Sequence, residues 1–146
     1  MVYYTDGAAS NNTTKNGGWA WCRIGNDTVI GHDSGNSKNT TNNIMEMTAI
    51  IQAMEDAITN NFIKSIFYTD SAYIVNCFTQ KWYENWRKNN WVTSKKTPVL
   101  NRELWEKILY YVDSYDFSIL KVKGHSTNSF NNYADSLAVK AKKELG

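Results

Sequence analysis

The sequence predicts an α/β fold built on a mixed sheet, and three observations carry that prediction. Val2 to Asp6 and Ile66 to Asp70 share Tyr-Thr-Asp, followed by Gly-Ala in one copy and Ser-Ala in the other. β-Branched and aromatic residues dominate both runs, so both read as buried strands. Between them, from about Asn43 to Thr59, Ile44, Met47, Ile51, Met54 and Ile58 recur at spacings of three and four, the stripe of an amphipathic helix. A strand-helix-strand crossover of this kind returns parallel and right-handed, so the two echo strands can be neighbours. Finally, Gly18 to Ile24 alternates large apolar with smaller or polar residues, and Thr28 to Gly35 returns after Gly25-Asn26-Asp27, which makes an antiparallel hairpin.

At 146 residues the chain is the size of one domain, 1–146, large enough to bury a real core. Its 42% hydrophobic residues and 14% aromatics exclude a disordered chain. Asn is over-represented, but it falls between periodic segments, where it caps helices and turns the chain. No apolar run approaches the ~20 residues of a membrane span, and Met-Val-Tyr-Tyr-Thr-Asp lacks the regions of a signal peptide. A soluble, cytoplasmic protein is the expectation. Cys22 and Cys77 form no Cys-x-x-Cys spacing and read as reduced core thiols. The net charge of +2 hides a local bias. Gln80 to Lys96 holds Lys81, Arg87, Lys88, Lys95 and Lys96 against Glu84 alone, so the remainder of the chain is net acidic.

The remaining elements follow in order. Ala8 to Gly17 is a loop of small and polar residues, and Ser71 to Thr79 is a short helix. Lys81 to Trp91 interleaves Trp82, Trp86 and Trp91 with basic residues; Trp82 and Trp86, four apart, read as core positions. Pro98 breaks the chain, and Asn101 caps a helix whose Leu104, Trp105, Ile108, Leu109 and Val112 form an apolar face. Phe117 to Val122 is a last strand, and a polar loop around His125 leads to a final helix with Ala134, Leu137, Ala138, Ala141 and Leu145 on one face.

Four acids are poorly explained as solvated surface. Asp6 and Asp70 are aimed off strand ends that lie about 4.8 Å apart if adjacent. Either one of them stays protonated or a hard divalent cation sits between them. Glu46 and Asp135 fall at the edges of apolar helix faces, in first turns where a carboxylate also serves simply as a solubilising group. If all four converge, the site is acceptor-only and suits Mg²⁺ or Mn²⁺ rather than zinc. Two such ions about 3.5–4 Å apart drive in-line attack at phosphodiesters. His125, judged by composition alone, is an exposed loop histidine.

Tyr4-Thr5-Asp6-Gly7, Thr40 to Glu46, Thr69-Asp70-Ser71, Val122-Lys123-Gly124-His125 and Asp135 before Leu137-Ala138 stand in the order and spacing of one family's motifs. Over essentially its whole length the chain resembles type I ribonuclease H. That resemblance implies a ribonuclease H-like fold: a five-stranded mixed sheet, three antiparallel plus two parallel strands, with helices on both faces. It implies catalysis by Asp6, Glu46, Asp70 and Asp135 on two Mg²⁺ ions, for which Mn²⁺ can substitute. One ion, shared by Asp6 and Asp135, activates water; the other, shared by Asp6, Glu46 and Asp70, steadies the leaving oxygen. His125 becomes a proton shuttle or product-release aid.

The resemblance also implies substrate contacts. Asn42 and Asn43 match minor-groove readers, where RNA is told from DNA by its 2′-hydroxyl. Thr41 and Asn101 match residues holding a phosphate of the DNA strand. The basic protrusion would track the DNA backbone through Arg87, Lys88, Lys95 and Lys96, with the exposed edge of Trp86. Three departures from the family pattern stand out. Ala8 to Asn16 replaces a glycine- and proline-rich loop, Ala72 replaces a longer polar residue, and Asn132 and Tyr133 replace charged ones. The expectation is a monomeric endoribonuclease that cuts the RNA strand of RNA–DNA hybrids and leaves 5′-phosphate and 3′-hydroxyl ends. The rivals are a DNA-directed nuclease of the same fold and a non-catalytic hybrid-binding module. Four intact acids speak against the second, because negative charge near phosphates weakens binding.

Overall fold

The sheet forms around β1 (Val2–Ala9), in a computed structural model that describes residues 1–10, 15–122 and 129–145. β2 (Gly17–Gly25) pairs with β1 antiparallel and with β3 (Thr28–Ser37) on its other side. Asn26 and Asp27 both take positive φ, 50° and 60°, which gives the hairpin a two-residue turn whose twist matches the strands. α1 (Asn42–Thr59) carries the chain across the sheet to β4 (Lys64–Thr69), which lies parallel to β1 in the register Val2↔Ile66 to Tyr4↔Tyr68. α2 (Ala72–Thr79), α3 (Trp82–Lys88) and α4 (Arg102–Ser114) precede β5 (Asp116–Lys121), parallel to β4, and α5 (Ser129–Lys143) follows. The strand order is β3-β2-β1-β4-β5, the mixed sheet of three antiparallel and two parallel strands that the resemblance implies.

Helices cover both faces. α1 and α4 bury Met47, Ile50, Met54, Trp105 and Ile108 against Tyr3, Phe67 and Phe117, in a core where Tyr3 stacks on Phe67 with ring centroids 5.1 Å apart. α5 lies on the opposite face of β1 to β3. Its seat is Gly18, where a Cβ would stand 2.1 Å from the Ala138 carbonyl oxygen and 2.7 Å from the Lys142 nitrogen. Away from the site, the Tyr3 hydroxyl donates to Asp56 Oδ2 at 2.6 Å and Arg23 Nη1 pairs with the same oxygen at 2.5 Å, tying β1 and β2 to α1.

Three local expectations need correcting. Asp6 does not end its strand: β1 runs on to Ala9, with Asp6 opposite Ala20. It is the parallel pairing with β4 that stops at Tyr4↔Tyr68. Asp6 therefore sits where β1 has lost one partner but is still held by the other. Asn101 occupies the N-cap position of α4 in left-handed backbone, φ 60°, without a side-chain capping bond. Trp82 and Trp86 are half-buried, not core, because α3 has no fully buried residue. Among the described residues no helix is long and apolar enough to cross a membrane.

Gly18→Ala should lower unfolding stability by about 2 kcal/mol or more, since the methyl group meets backbone that cannot rotate aside. Urea denaturation checks this, and a loss under about 0.5 kcal/mol, the scale of ordinary surface changes, would mean that α5 is not seated through Gly18.

Candidate active site

Asp6, Glu46, Asp70 and Asp135 come from four elements and line one cavity of about 450 Å³, together with Gly7, Ala8, Asn42, Asn43, Ala72 and Tyr73. Asp6 is set by the β1–β2 ladder and is 4% exposed. Asp70 follows the last residue of β4, and its direction is fixed by Ser71, the N-cap of α2. The Ser71 N–H donates to Thr69 Oγ1 at 3.1 Å, and Ser71 Oγ accepts from the Ile74 N–H at 3.2 Å. Asp135 projects from the second turn of α5, not the first that its sequence position suggests, because the helix begins at Ser129; it is exposed at the cavity mouth and within hydrogen-bonding reach of Asp6.

Glu46 owes its depth to Gly7. A Cβ at position 7 would lie 2.3 Å from both the Glu46 nitrogen and the Met45 carbonyl carbon, so only glycine lets α1 approach β1 this closely. Glu46 is consequently 6% exposed, deeper than the half-buried helix edge its spacing suggests. The glycine directly after Asp6 inside a strand was the available sequence signal.

Crowding has an electrostatic cost. Burial above all raises the Asp6 carboxyl well above the ordinary carboxylate range, followed by the hydrogen-bonding contact with Asp135 and the charges of Asp70 and Asp135; the Gly7 N–H partly opposes them. Glu46 is raised likewise, first by burial and then by Asp6 and Asp70, again opposed by the Gly7 N–H. One ligand oxygen each from Asp6, Glu46 and Asp70 lie within 4.8 Å of one another. Glu46 Oε1 is buried without a hydrogen-bond partner. An orphaned acceptor inside an all-oxygen cluster fits a hard divalent cation, and among the described residues no basic side chain lines the cavity to take its place.

The expected substrate contacts divide into two groups. Asn42 and Asn43 are exposed on the rim of the acid cavity. Asn42 Oδ1 accepts from the Ala9 N–H at 3.0 Å, which holds its amide at that rim. Thr41 is the N-cap of α1, its hydroxyl accepting from the Ile44 N–H at 3.2 Å. The second group surrounds a cavity of about 910 Å³ that Trp82, Trp86, Lys88 and Lys96 line with several Asn and hydroxyl residues. Lys95 is exposed beside it. Arg87 turns away, its Nη2 2.9 Å from Asp113 Oδ2 and its guanidinium over Tyr83. Asn101 lines a separate, smaller hollow with Arg102, Glu103 and Leu104. His125 lies outside the described residues.

Comparison with known proteins converges on one family. The family model described as RNase H matches residues 1–143. The chain is 40% identical over 149 residues to the ribonuclease H of Clostridium botulinum, covering 99% of this chain and 97% of that protein. It is 46% identical over 141 residues to the ribonuclease H of Chlorobium limicola, at 97% and 94% coverage. Among solved structures, LC9-RNase H1, a type 1 RNase H with the type 2 active-site motif, superposes with a TM-score of 0.81 at 26% identity, covering 99% of this chain and 72% of that one. LC11-RNase H1 in complex with RNA/DNA hybrid shares the fold, with a TM-score of 0.72 at 22% identity and 99% and 97% coverage.

In chelator, the raised carboxyls of Asp6 and Glu46 contribute stability that is complete below about pH 4, the unfolded value, and is lost as pH rises through the folded values. Urea midpoints in chelator should therefore fall from about pH 5 to about pH 10, as pH passes from the unfolded values to the folded ones, raised to about 8 for Asp6 and about 10 for Glu46. Mg²⁺ should restore much of the loss, and Asp70→Asn should flatten the slope. A pH-independent midpoint in that window would show that these carboxyls are not perturbed.

Proposed function

Because this chain belongs to the RNase H family, we propose that it is an endoribonuclease hydrolysing the RNA strand of RNA–DNA hybrids, leaving 5′-phosphate and 3′-hydroxyl ends. The observation that carries the reading is the convergence of Asp6, Glu46 and Asp70 within 4.8 Å, with Asp135 on the same cavity and Asn42 and Asn43 on its rim. Asp6, Glu46, Asp70 and Asp135 would hold two divalent cations, Mg²⁺ by the hardness of the oxygen set, with Mn²⁺ able to replace it. When bound, such cations supply Lewis acidity to a phosphoryl oxygen and lower the pKa of water.

The protein's own residues then do three things. Buried Asp6 and Glu46 give a rigid, desolvated carboxylate pair whose repulsion a cation relieves, so the site favours the loaded state. Asn42, held by the Ala9 N–H through its oxygen, offers its amide N–H groups to acceptors in a shallow minor groove and to a 2′-hydroxyl, a readout that does not depend on base sequence. Lys88, Lys95 and Lys96 neutralise backbone phosphates of the second strand, away from the acids that repel them. The LC11-RNase H1 relative was solved with an RNA/DNA hybrid, which supports the substrate class. His125 on its loop is proposed as an aid to proton transfer or product release. A monomer is the simplest state for this reading, and it is proposed to act in the cytoplasm.

The deciding experiment incubates a hybrid, labelled separately on each strand, with Mg²⁺, Mn²⁺ or chelator. Cutting of the RNA strand alone, dependent on the metal, is the expected result. Equal cutting of duplex DNA would favour a DNA-directed nuclease, and tight binding without cutting a non-catalytic module. Asp70→Asn should leave the circular dichroism unchanged and lower kcat on the order of 10³-fold; turnover at the parent rate would sink the carboxylate assignment. Replacing Lys95 and Lys96 together by Ala should raise KM and lower the slope of log affinity against log salt by about one to two, with kcat little changed. An unaltered slope would move the phosphate contacts elsewhere.

A further inference from the structure

Positive charge gathers at a second place, the end of the molecule where β3 stops and α5 runs out. Among the described residues the ion pairs are those of Arg23, Arg87, Arg102 and Lys107, so Lys38, Lys140, Lys142 and Lys143 have no acid partner. Two segments bring these lysines together. Asn36 on β3 donates from Nδ2 to the Ala141 carbonyl of α5 at 2.9 Å, which sets Lys38, just past β3, beside Lys140, Lys142 and Lys143 in the last turn of α5. Lys38, Lys140 and Lys143 are exposed and Lys142 is half-buried. Lys15, exposed just before the start of β2, adds to the charge there, because Gly17 pairs with Ser37 at that end of β3. The acids nearby are Glu144, exposed at the end of α5, and Asp33, which lies farther back on β3 opposite Trp21 and accepts the Ser34 N–H at 2.8 Å. Lysines at a helix C-terminus ordinarily offset its partial negative charge, roughly half a unit. Lys140, Lys142 and Lys143 against Glu144 exceed that need, and Lys38 and Lys15 are not on the helix at all.

Position relative to the acids gives this surplus a use. In the strand order β3-β2-β1-β4-β5 the lysines stand on the β3 side of Asp6, whereas α2, α3 and the basic cavity follow β4 on the other side. α5 packs on β1, β2 and β3. It carries Asp135 at the mouth of the acid cavity and Lys142 two turns farther on, along the same side of the helix. Two turns amount to about 10 Å. Successive phosphates of one strand advance about 3.4 Å along a duplex axis. A strand running from the acids along α5 therefore brings a phosphate about three linkages away to Lys142, with Lys38, Lys140 and Lys143 around it.

We propose that Lys38, Lys140, Lys142 and Lys143 form a second phosphate-binding surface, which holds the cleaved strand about three or more linkages to one side of the reacting phosphate, on the flank opposite the α3 cavity. The cleaved strand is the one assigned because α5 ties this surface to Asp135, while Lys88, Lys95 and Lys96 take up the second strand. The proposal rests on the reading of the protein as a hybrid nuclease. Such contacts position the duplex without reading its sequence and add salt-dependent affinity without touching the reacting atoms, so they act on KM and leave kcat alone.

The test uses hybrids whose RNA strand is 2′-O-methylated except around one linkage, which confines cutting to that linkage, with the duplex shortened stepwise from one end or from the other. KM and kcat in Mg²⁺, and equilibrium binding in an Asp70→Asn background, are measured against salt for the parent, Lys140→Ala with Lys143→Ala, Lys38→Ala, and Lys140→Arg with Lys143→Arg. On long hybrids the Ala pair should raise KM about threefold to tenfold and lower the slope of log affinity against log salt by about one to two, and Lys38→Ala should lower it by up to about one. The kcat should stay within about twofold. These losses should vanish when the duplex ends within about two base pairs of the cut on one side, and persist when it is shortened from the other. The Arg pair should bind as the parent does. Combined with Lys95→Ala and Lys96→Ala, the losses should multiply, because the two surfaces make separate contacts. Neutral methylphosphonate linkages about three to five from the cut should weaken binding by the parent when placed in the RNA strand and not when placed in the DNA strand; the reverse would overturn the strand assignment. Should the α5 variant fail to fold, Lys38→Ala, on a separate segment, must still show the one-sided loss. An unchanged slope in both, or equal losses on hybrids of every length, the mark of a diffuse field and not of a contact, would overturn the surface while leaving the nuclease intact. A parent that cuts no hybrid of any length would overturn the nuclease reading and the proposal with it.

Discussion

The approach of α1 to β1 at Gly7 is the contact on which the rest of the molecule depends. Without a Cβ at that position, helix backbone rests directly on strand backbone, with a distance that any side chain would forbid. The consequence is chemical as well as steric. Glu46 is carried into a pocket with Asp6, and the Gly7 N–H is the group that eases the negative charge of both. Folding has to overcome that like-charge crowding. It does so through apolar burial along the rest of α1, where Met47, Ile50 and Met54 are fully buried, and through the Tyr3, Asp56 and Arg23 network beyond the active site. The helix is held along its length beyond Glu46, so repulsion among the acids is borne by the fold and not relieved by moving it.

Gly18 does the same for the opposite face. It lets α5 settle on β2, and α5 delivers Asp135 to the edge of the cavity. Two glycines on adjacent strands therefore set the depth of two carboxylates that reach the site from opposite sides of the sheet. Asp6 lies between them because β1 is central in the sheet order and loses its parallel partner just before that residue. A cleft opens there as a consequence of topology, with no loop insertion needed to make it.

Charge is partitioned on the same plan. Among the described residues the acid cavity holds no basic side chain, while Lys88 and Lys96 line a second cavity a helix away. By charge alone, a polyanion is repelled by the first unless cations are present and attracted by the second at all times. Arg87 shows that neighbours in sequence need not share surroundings. It belongs to the basic stretch but is engaged with Asp113 and Tyr83.

By itself the sequence determined the elements and pointed to the four acids that line one cavity. The echo of Tyr-Thr-Asp, the stripe of Ile44 to Ile58 and the turn at Asn26-Asp27 each follow from local periodicity and backbone preference, which are properties of neighbouring residues. The four acids were legible because Asp6 and Asp70 close β-branched and aromatic runs, Glu46 and Asp135 edge apolar helix faces, and all four stand in the order of one family's motifs. What only the tertiary structure decided are quantities set by packing between distant segments. These include the depth of Glu46, the continuation of β1 past Asp6, the half-burial of Trp82 and Trp86 and the absent capping bond at Asn101. None of these has a local signature, because each depends on how closely one backbone can approach another and on which side chain arrives from elsewhere in the chain.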